Sequence, residues 1–377
     1  MRIALVTRRF DPAGGGTERD LIITARLLSR AGHRVTIYAA EVRAPSDEWP
    51  LRWIAGPHLG RALALLWFAR AAGATARREG ADVVLSFARI IDADILRSGG
   101  GAHSSYLRAA RQWRSTPARL AMRLSPYHRV QMLVERSGFR SPRLKRAIAV
   151  SNLVRNDLIQ TFALAPAQAV TLYNGVDLER FAPAHDPAER IAIRREFGVS
   201  DSKPAVMFMG NGFARKGLRF LIEGWPEISG DAQLIIVGTD QAAASYERLA
   251  RRLGLNDRVR FLGRRADVAR LMRGADAFAL PSLFEPFGNV AMEAMASGVP
   301  VLTSVQSGVA ETVPGSMGEY IVHDPTDRAD LTSRLNALIA AASRLRKAAR
   351  EAAERFTWDR HACELLAIVE AAADTRT

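Results

Sequence analysis

Short apolar runs alternate with helical stretches along almost the whole chain, and that alternation leaves few folds open. Arg2 to Thr7 reads as a first strand, and Thr17 to Ala31 as an amphipathic helix stopped by Gly32. Val35 to Ala39 is a second strand, followed by a helix around Leu59 to Arg78 and a strand from Asp82 to Phe87. Ile148 to Val150 is another short strand, with Ser151 or Asn152 placed to cap the helix after it. The pattern restarts after Tyr173-Asn174-Gly175-Val176-Asp177, where Asn-Gly marks a turn. From there strands at Ala205–Met209, Leu234–Val237, Val259–Leu262, Asp276–Leu280 and Val299–Thr303 alternate with helices at Pro187–Phe197, from Gly217, Ala242–Leu253 and Asp267–Arg273. A chain of β-α-β units predicts parallel sheets with helices on both faces. With 377 residues, two cores are expected rather than one. The reading is α/β: two doubly wound, Rossmann-like domains facing across a cleft, over 1–172 and 173–355, with a last helix in 356–377 crossing back to the first domain.

In open sheets of this kind ligands bind beyond the carboxyl ends of the strands, so the loops there carry the candidate chemistry. Glu285-Pro286-Phe287-Gly288-Asn289-Val290-Ala291-Met292-Glu293 follows an apolar run and a Pro281-Ser282 break. It puts one carboxylate in a loop and a second about two turns into a helix. Gly288 lets backbone approach a ligand, and the bare N–H groups of a helix start attract an anion. A ligand with phosphate in the middle and hydroxyl-rich ends, such as a nucleotide-sugar, fits that layout. Gly210-Asn211-Gly212-Phe213-Ala214-Arg215-Lys216-Gly217 follows a strand and opens a helix. It lacks the Lys-Ser/Thr of a P-loop, but adjacent Arg215 and Lys216 suit a diphosphate, one as a fork and one as a point charge.

Two loops of the first half add to these. Asp11-Pro12-Ala13-Gly14-Gly15-Gly16-Thr17-Glu18 places three glycines before a helix, without the G-x-G-x-x-G of a dinucleotide site. Ser98-Gly99-Gly100-Gly101-Ala102-His103 brings a histidine to the end of a strand. Ser307-Gly308-Val309-Ala310-Glu311 follows a later strand and is placed to line the same cleft. Arg264 lies after a strand and is placed to border a base. Asp92-Ala93-Asp94 has the form of a metal-binding D-x-D, yet no His or Cys cluster accompanies it, and no metal is expected.

The net charge of +14 lies in the first half: residues 1–175 hold 27 Lys/Arg against 12 Asp/Glu. Within it, residues 97–155 hold 13 Lys/Arg against one acid, Glu135. A surface carrying Arg97, Arg108, Arg111, Arg114, Arg119 and Arg123 attracts a polyanion: a phosphorylated substrate, anionic lipid or nucleic acid. Trp113, Leu120 and Met122 interleave with these bases, so the stretch reads as an interfacial helix or as a face packed on its own domain. No RNA-binding signature accompanies it, and nucleic acid is not an expected partner. The single cysteine, Cys363, excludes a disulfide framework, points to a reduced, cytoplasmic compartment, and reads as a small buried residue. Arg8-Arg9 interrupts the first apolar run, which therefore does not read as a signal peptide. Ala62 to Ala76, with Arg70, reads as a buried or half-buried helix rather than a span.

Taken together these motifs resemble the retaining family 4 glycosyltransferases of the GT-B fold, over nearly the whole chain. The likeness is strongest from Asp276 through Val301 and extends to Tyr173–Asp177 and Gly210–Gly217. It implies that Glu293 holds ribose hydroxyls and that Glu285 contacts the transferred sugar, with Phe287, Gly288, Asn289 and Val290 beside it. It implies that Arg215 and Lys216, with Asn211 nearby, neutralise the diphosphate leaving group. Gly15 and Gly16 would approach the phosphate from the other domain, and His103 would lie near the transferred sugar and acceptor. Gly14–Asp20 and Arg97–His103 further resemble the glucosyltransferases that act on the heptose of the lipopolysaccharide inner core. That likeness implies UDP-glucose as donor, no cofactor, an anionic glycolipid as acceptor, and a peripheral place on the cytoplasmic face of the inner membrane. Another family 4 hexosyl- or mannosyltransferase and a nucleotide-sugar epimerase stay open beside this reading. Glu285 and Glu293, eight residues apart, would stand roughly 12 Å apart were all of it helix. That favours gripping two ends of one donor over the ~5 Å carboxylate pair of a retaining glycosidase.

Overall fold

The computed structural model describes residues 1–57 and 60–374. The chain divides into two compact units, Met1–Tyr173 with the segment that begins at Asp359, and Asn174–Trp358.

In the first unit the elements run β1 (Arg2–Phe10), α1 (Gly16–Arg30), β2 (Arg34–Val42), β3 (Leu51–Trp53), α2 (Arg61–Arg78), β4 (Val83–Ser86) and β5 (Ile95–Ser98). They continue as α3 (His103–Ala110), α4 (Thr116–Leu124), α5 (Pro126–Phe139), β6 (Arg146–Ala149), α6 (Asn152–Phe162) and β7 (Ala169–Thr171). The Ser151 hydroxyl caps α6 by accepting from Val154 N–H. The sequence start of α2 at Leu59 lies outside the described residues. The sheet order is β3-β2-β1-β4-β5-β6-β7, every pair parallel. The chain builds outward from β1 to β3, then restarts beside β1, so its switch point lies between β1 and β4.

The second unit repeats the plan. Its elements are α7 (Pro187–Phe197), β8 (Ala205–Met209), α8 (Leu218–Gly224), β9 (Gln233–Val237), α9 (Ala243–Arg252), β10 (Val259–Gly263), α10 (Val268–Arg273) and β11 (Ala277–Leu280). They end with α11 (Asn289–Ala296), β12 (Val301–Ser304), β13 (Ile321–Val322) and α12 (Arg328–Glu354). The order β10-β9-β8-β11-β12-β13, all parallel, puts the switch point between β8 and β11. β8, β9, β11 and β12 are buried at every residue. That is why their sequences are continuous apolar runs: a parallel strand covered on both faces has no solvent side to alternate with.

The last helix, α13 (Trp358–Asp374), returns to the first unit. Leu365, Val369 and Ala372 join the core of Ile3, Leu5, Leu28 and Val35. Full burial of a Leu or Val side chain is worth about 1.5–3 kcal/mol, and Lys145 Nζ, 2.5 Å from Ala372 O, adds a cation at the helix C-terminus. The buried stripe on α13 explains one correction. Cys363 is exposed, not buried, because the helix turns its His361, Leu365 and Val369 inward and leaves position 363 on the solvent side. α2 is half-buried with Arg70 exposed, and among the described residues no helix is long and apolar enough to cross a membrane.

Candidate active site

At the second switch point the loops after β8 and β11 close on each other. Leu283 N–H donates to Arg215 O at 2.8 Å, and Arg215 Nη1 donates to Phe284 O at 2.6 Å. Both cations then meet one carboxylate oxygen: Glu285 Oε2 lies 3.0 Å from Arg215 Nη1 and 2.5 Å from Lys216 Nζ. Lys216 reaches it by running its buried stem past Gly210. A Cβ at Gly210 would stand 2.6 Å from Lys216 Cε, at a φ of 137° that side chains avoid. Burial opposes ionisation of Glu285, whose side chain is 12% exposed, but Lys216 and then Arg215 outweigh it and hold the carboxyl below the ordinary glutamate range.

The Ser307–Glu311 loop braces this one. Glu285 N–H donates to Gln306 O (3.0 Å), Gly308 N–H to Glu285 O (2.9 Å), and Ser307 Oγ–H to Phe287 O (3.0 Å). Gly288, at φ 108°, caps the start of α11 in a left-handed conformation. The helix therefore begins only at Asn289, and Glu293 stands little more than one turn in, where two turns were expected. Glu293 is 7% exposed, on a helix buried from Ala291 to Ala296. Asn289 accepts from Asn174 Nδ2 at 2.9 Å, and Val290 is half-buried. Asn211 accepts from Thr239 N–H at 3.1 Å, tying the loop after β9 to that after β8. Arg264 is exposed just past β10, at the sheet edge two strands from β8, and is not part of the Glu285 cluster. The arrangement offers two preorganised cations, held by a carboxylate, at the mouth of a parallel sheet.

In the first unit, Gly15 and Gly16 open α1 after β1. His103 opens α3 and is buried. Its N–H donates to Glu135 Oε2 at 2.8 Å and its Nε2 lies 2.9 Å from His128 Nδ1. Burial, then Arg89 and His128, lower its pKa to about 4, so the ring is neutral at physiological pH. A cavity of about 200 Å³ lies at the carboxyl ends of β4 and β5, lined by Asp20, Arg89, Arg97, Ser98, Gly99 and Glu135 among others. Arg97 is a correction: its side chain is 1% exposed and pairs with Asp20 at 2.6 and 3.0 Å, so it is a cavity wall and not part of a basic surface. Arg108, Arg111, Arg114, Arg119 and Arg123 are exposed on α3, α4 and the turn between them. Asp92 and Asp94 are taken up by Arg77 at 2.9 and 3.0 Å.

Sequence reasoning gave no site role to Asp20 or Asn174, which it met only inside longer motifs, and did not name Arg89 or His128. Glu135 did carry a signal, as the lone acid among thirteen bases; it is used twice, by Arg89 at 2.7 Å and by the His103 amide.

The two parallel, doubly wound sheets have the GT-B architecture, and a carboxylate–cation cluster sits at the switch point of the second. Residues 14–180 match the family model described as Glycosyltransferase Family 4, and residues 203–341 match that described as Glycosyl transferases group 1. The two together span most of the chain, which over that length is similar to family 4 and group 1 glycosyltransferases. Among solved structures, WaaG, a glycosyltransferase involved in lipopolysaccharide biosynthesis, is similar over 100% of this chain and 99% of its own, with TM-score 0.77 and 23% identity. HepE of Anabaena in complex with UDP and glucose is similar over 98% and 100%, with TM-score 0.71 and 20% identity. D-inositol 3-phosphate glycosyltransferase of Xylanimonas cellulosilytica is 31% identical over 58% of this chain and 55% of its own. An uncharacterized glycosyltransferase of Methanocaldococcus jannaschii is 33% identical over 45% and 44%. The chain thus spans about half the length of the curated relatives it matches.

Proposed function

We propose that this protein is a retaining glycosyltransferase that moves glucose from UDP-glucose onto a heptose of the lipopolysaccharide inner core. The observation that carries the donor half is the convergence of Arg215 and Lys216 on Glu285 at the switch point between β8 and β11. Two cations held in place there are suited to the β-phosphate of a departing nucleoside diphosphate. They act on charge that grows as the anomeric bond breaks, so they stabilise the transition state more than the ground state. In this reading Glu285 fixes both cations and faces the transferred sugar, and Glu293 takes the ribose hydroxyls. The sugar C1–O bond to phosphate breaks, a bond from C1 to the acceptor oxygen forms on the same face, and the acceptor proton passes to a diphosphate oxygen. Charge neutralisation is assigned to Arg215 and Lys216 rather than to a metal.

The acceptor and its location rest on the first unit. The likeness of Gly14–Asp20 and Arg97–His103 to heptose glucosyltransferases supports the heptose. The involvement of WaaG in lipopolysaccharide biosynthesis, and the UDP and glucose bound to HepE, are in keeping with it. α4 buries none of its residues and exposes Leu120 (56%) and Leu124 (58%) beside Arg119 and Arg123, which suits a peripheral site on an anionic membrane face.

The test is turnover of UDP-glucose with and without a heptose-bearing core acceptor, following UDP release and the anomeric configuration of the product. The reading expects acceptor-dependent release and an α-linked product. Conversion of the donor alone into another UDP-sugar favours an epimerase, and an inverted product refutes retention.

A further inference from the structure

The first unit has a second concavity, of about 300 Å³, enclosed by α3, α4 and α5. Arg108, Arg111, Arg119, Arg123, Arg129 and His128 line it, with Leu107, Met122 and Met132 between them. Several arginines elsewhere in this chain are matched by acids. Arg190 and Arg194 share Asp276, Arg270 takes Glu196, and Arg273 takes Glu189. Even the neighbouring cavity is balanced, by Asp20 with Arg97 and Glu135 with Arg89. The five arginines of the second concavity form no ion pair among the described residues. The one acid of residues 97–155, Glu135, is already occupied by Arg89 and the His103 amide. Five guanidinium groups around one hollow repel each other and lower the affinity of the site for anything but an anion of high charge density. Guanidinium forks match the oxygens of a phosphomonoester. The hollow is also next to the reacting side of the unit: its wall residue His128 bonds His103, whose amide bonds Glu135 in the wall of the balanced cavity.

We propose that the hollow between α3, α4 and α5 is a phosphate subsite, which holds a phosphomonoester of the acceptor while a neighbouring sugar of the same acceptor occupies the balanced cavity beside His103. The balanced cavity, with its carboxylates and guanidinium groups already paired, suits uncharged hydroxyls. The arginine hollow suits the dianion. The proposal rests on the acceptor-side reading above and extends it to two compartments, bringing in Arg129 and His128.

The same phosphate chemistry is offered by a phosphorylated saccharide and by a lipid headgroup, and the experiment separates them. Wild type and the Arg119→Ala/Arg123→Ala double variant are titrated by calorimetry with mannose 6-phosphate and with mannose. Both are also floated with phosphatidylcholine vesicles containing either phosphatidic acid or phosphatidylglycerol. Arg119 and Arg123 are exposed on a helix with no buried residue, so the variant should keep its fold, checked by circular dichroism. Expected is saturable binding of mannose 6-phosphate but not mannose, weakened about tenfold or more in the variant and by added salt. Saturable binding confined to phosphatidic acid vesicles, again lost in the variant, upholds the subsite with a lipid as its source. Mannose 6-phosphate bound no better than mannose, or bound equally by wild type and variant, overturns it; equal flotation with both anionic vesicles and no mannose 6-phosphate binding marks a membrane face alone and overturns it as well. Thermal stabilisation by UDP, read on the same samples, belongs to the second unit. If it persists while phosphate binding fails, only the subsite is lost; if it fails as well, the donor reading falls separately.

Discussion

Lys216→Met removes one of the two cations on Glu285 while leaving an unbranched apolar stem to fill its channel past Gly210. Two effects are separable. As a donor of positive charge to the leaving diphosphate, Lys216 should contribute about 10²–10³ in kcat, the usual cost of deleting one such group. For stability, Glu285 keeps Arg215 at 3.0 Å, so the loss should be smaller than the 3–5 kcal/mol of orphaning a buried charge. It should be about 1.5–3 kcal/mol, the worth of one hydrogen bond to a charged group, or roughly 3–12 °C in Tm for a domain of this size. The pH dependence has a definite sign. Because the pKa of Glu285 is lowered on folding, its ion pairs stabilise the protein above the ordinary glutamate range and that stability is lost as pH falls through the lowered value. The gap in Tm between wild type and variant should therefore be widest near neutrality and close on acidification. Initial rates of UDP release and melts across pH measure both. A folded variant with kcat within threefold of wild type refutes the placement of Lys216 on the leaving group. A Tm gap that does not change with pH refutes its hold on Glu285.

Arg97→Ala should cost the first unit about 3–5 kcal/mol, since it leaves Asp20 without its buried partner; chemical denaturation reads the loss, and a change below about 1 kcal/mol contradicts the pairing. Gly210→Ala should lower kcat about as far as Lys216→Met does, because its Cβ would displace the lysine stem, and a structure of the variant should show Lys216 off Glu285. His103 and His361 both have pKa values lowered to about 4 by burial, so the unfolded chain binds more protons than the folded one between that value and the ordinary 6.5. The first unit should lose stability as pH drops through that window, and His361→Gln should flatten the melt-versus-pH curve.

Much of the second unit was legible because its signals are local. α7 and β8 have the bounds the sequence suggests: Asp186 caps α7 by accepting from Glu189 N–H, Pro187 takes the first helical position, and β8 is an unbroken apolar run. β3, β7 and β13 escaped notice, since strands of two or three residues are too short to show a period. The basic stretch around 108–123 suggested one helix; it is split, because the chain turns between Ala110 and Thr116 and leaves α4 at Ser125, just before Pro126. The Glu285 cluster was read as three candidate residues, but their meeting was not, because Arg215 and Glu285 are joined only by the adjacency of β8 and β11. The same holds for Arg97 with Asp20, 77 residues away, and for His103 with His128, 25 residues away. A guanidinium buried on a distant carboxylate has the same local sequence as one facing solvent, which is why Arg97 was read with the surface.

The central claim is that the loops after β8 and β11, with Glu293 on α11, bind a nucleoside diphosphate. Thermal unfolding of wild type and Glu293→Ala with UDP, GDP and ADP tests it most directly, since a ligand at about 100 times Kd adds about 2.7 kcal/mol to the folded state. The account predicts a rise in Tm with UDP that is lost in the variant. A folded wild type that none of the three nucleotides stabilises would contradict it.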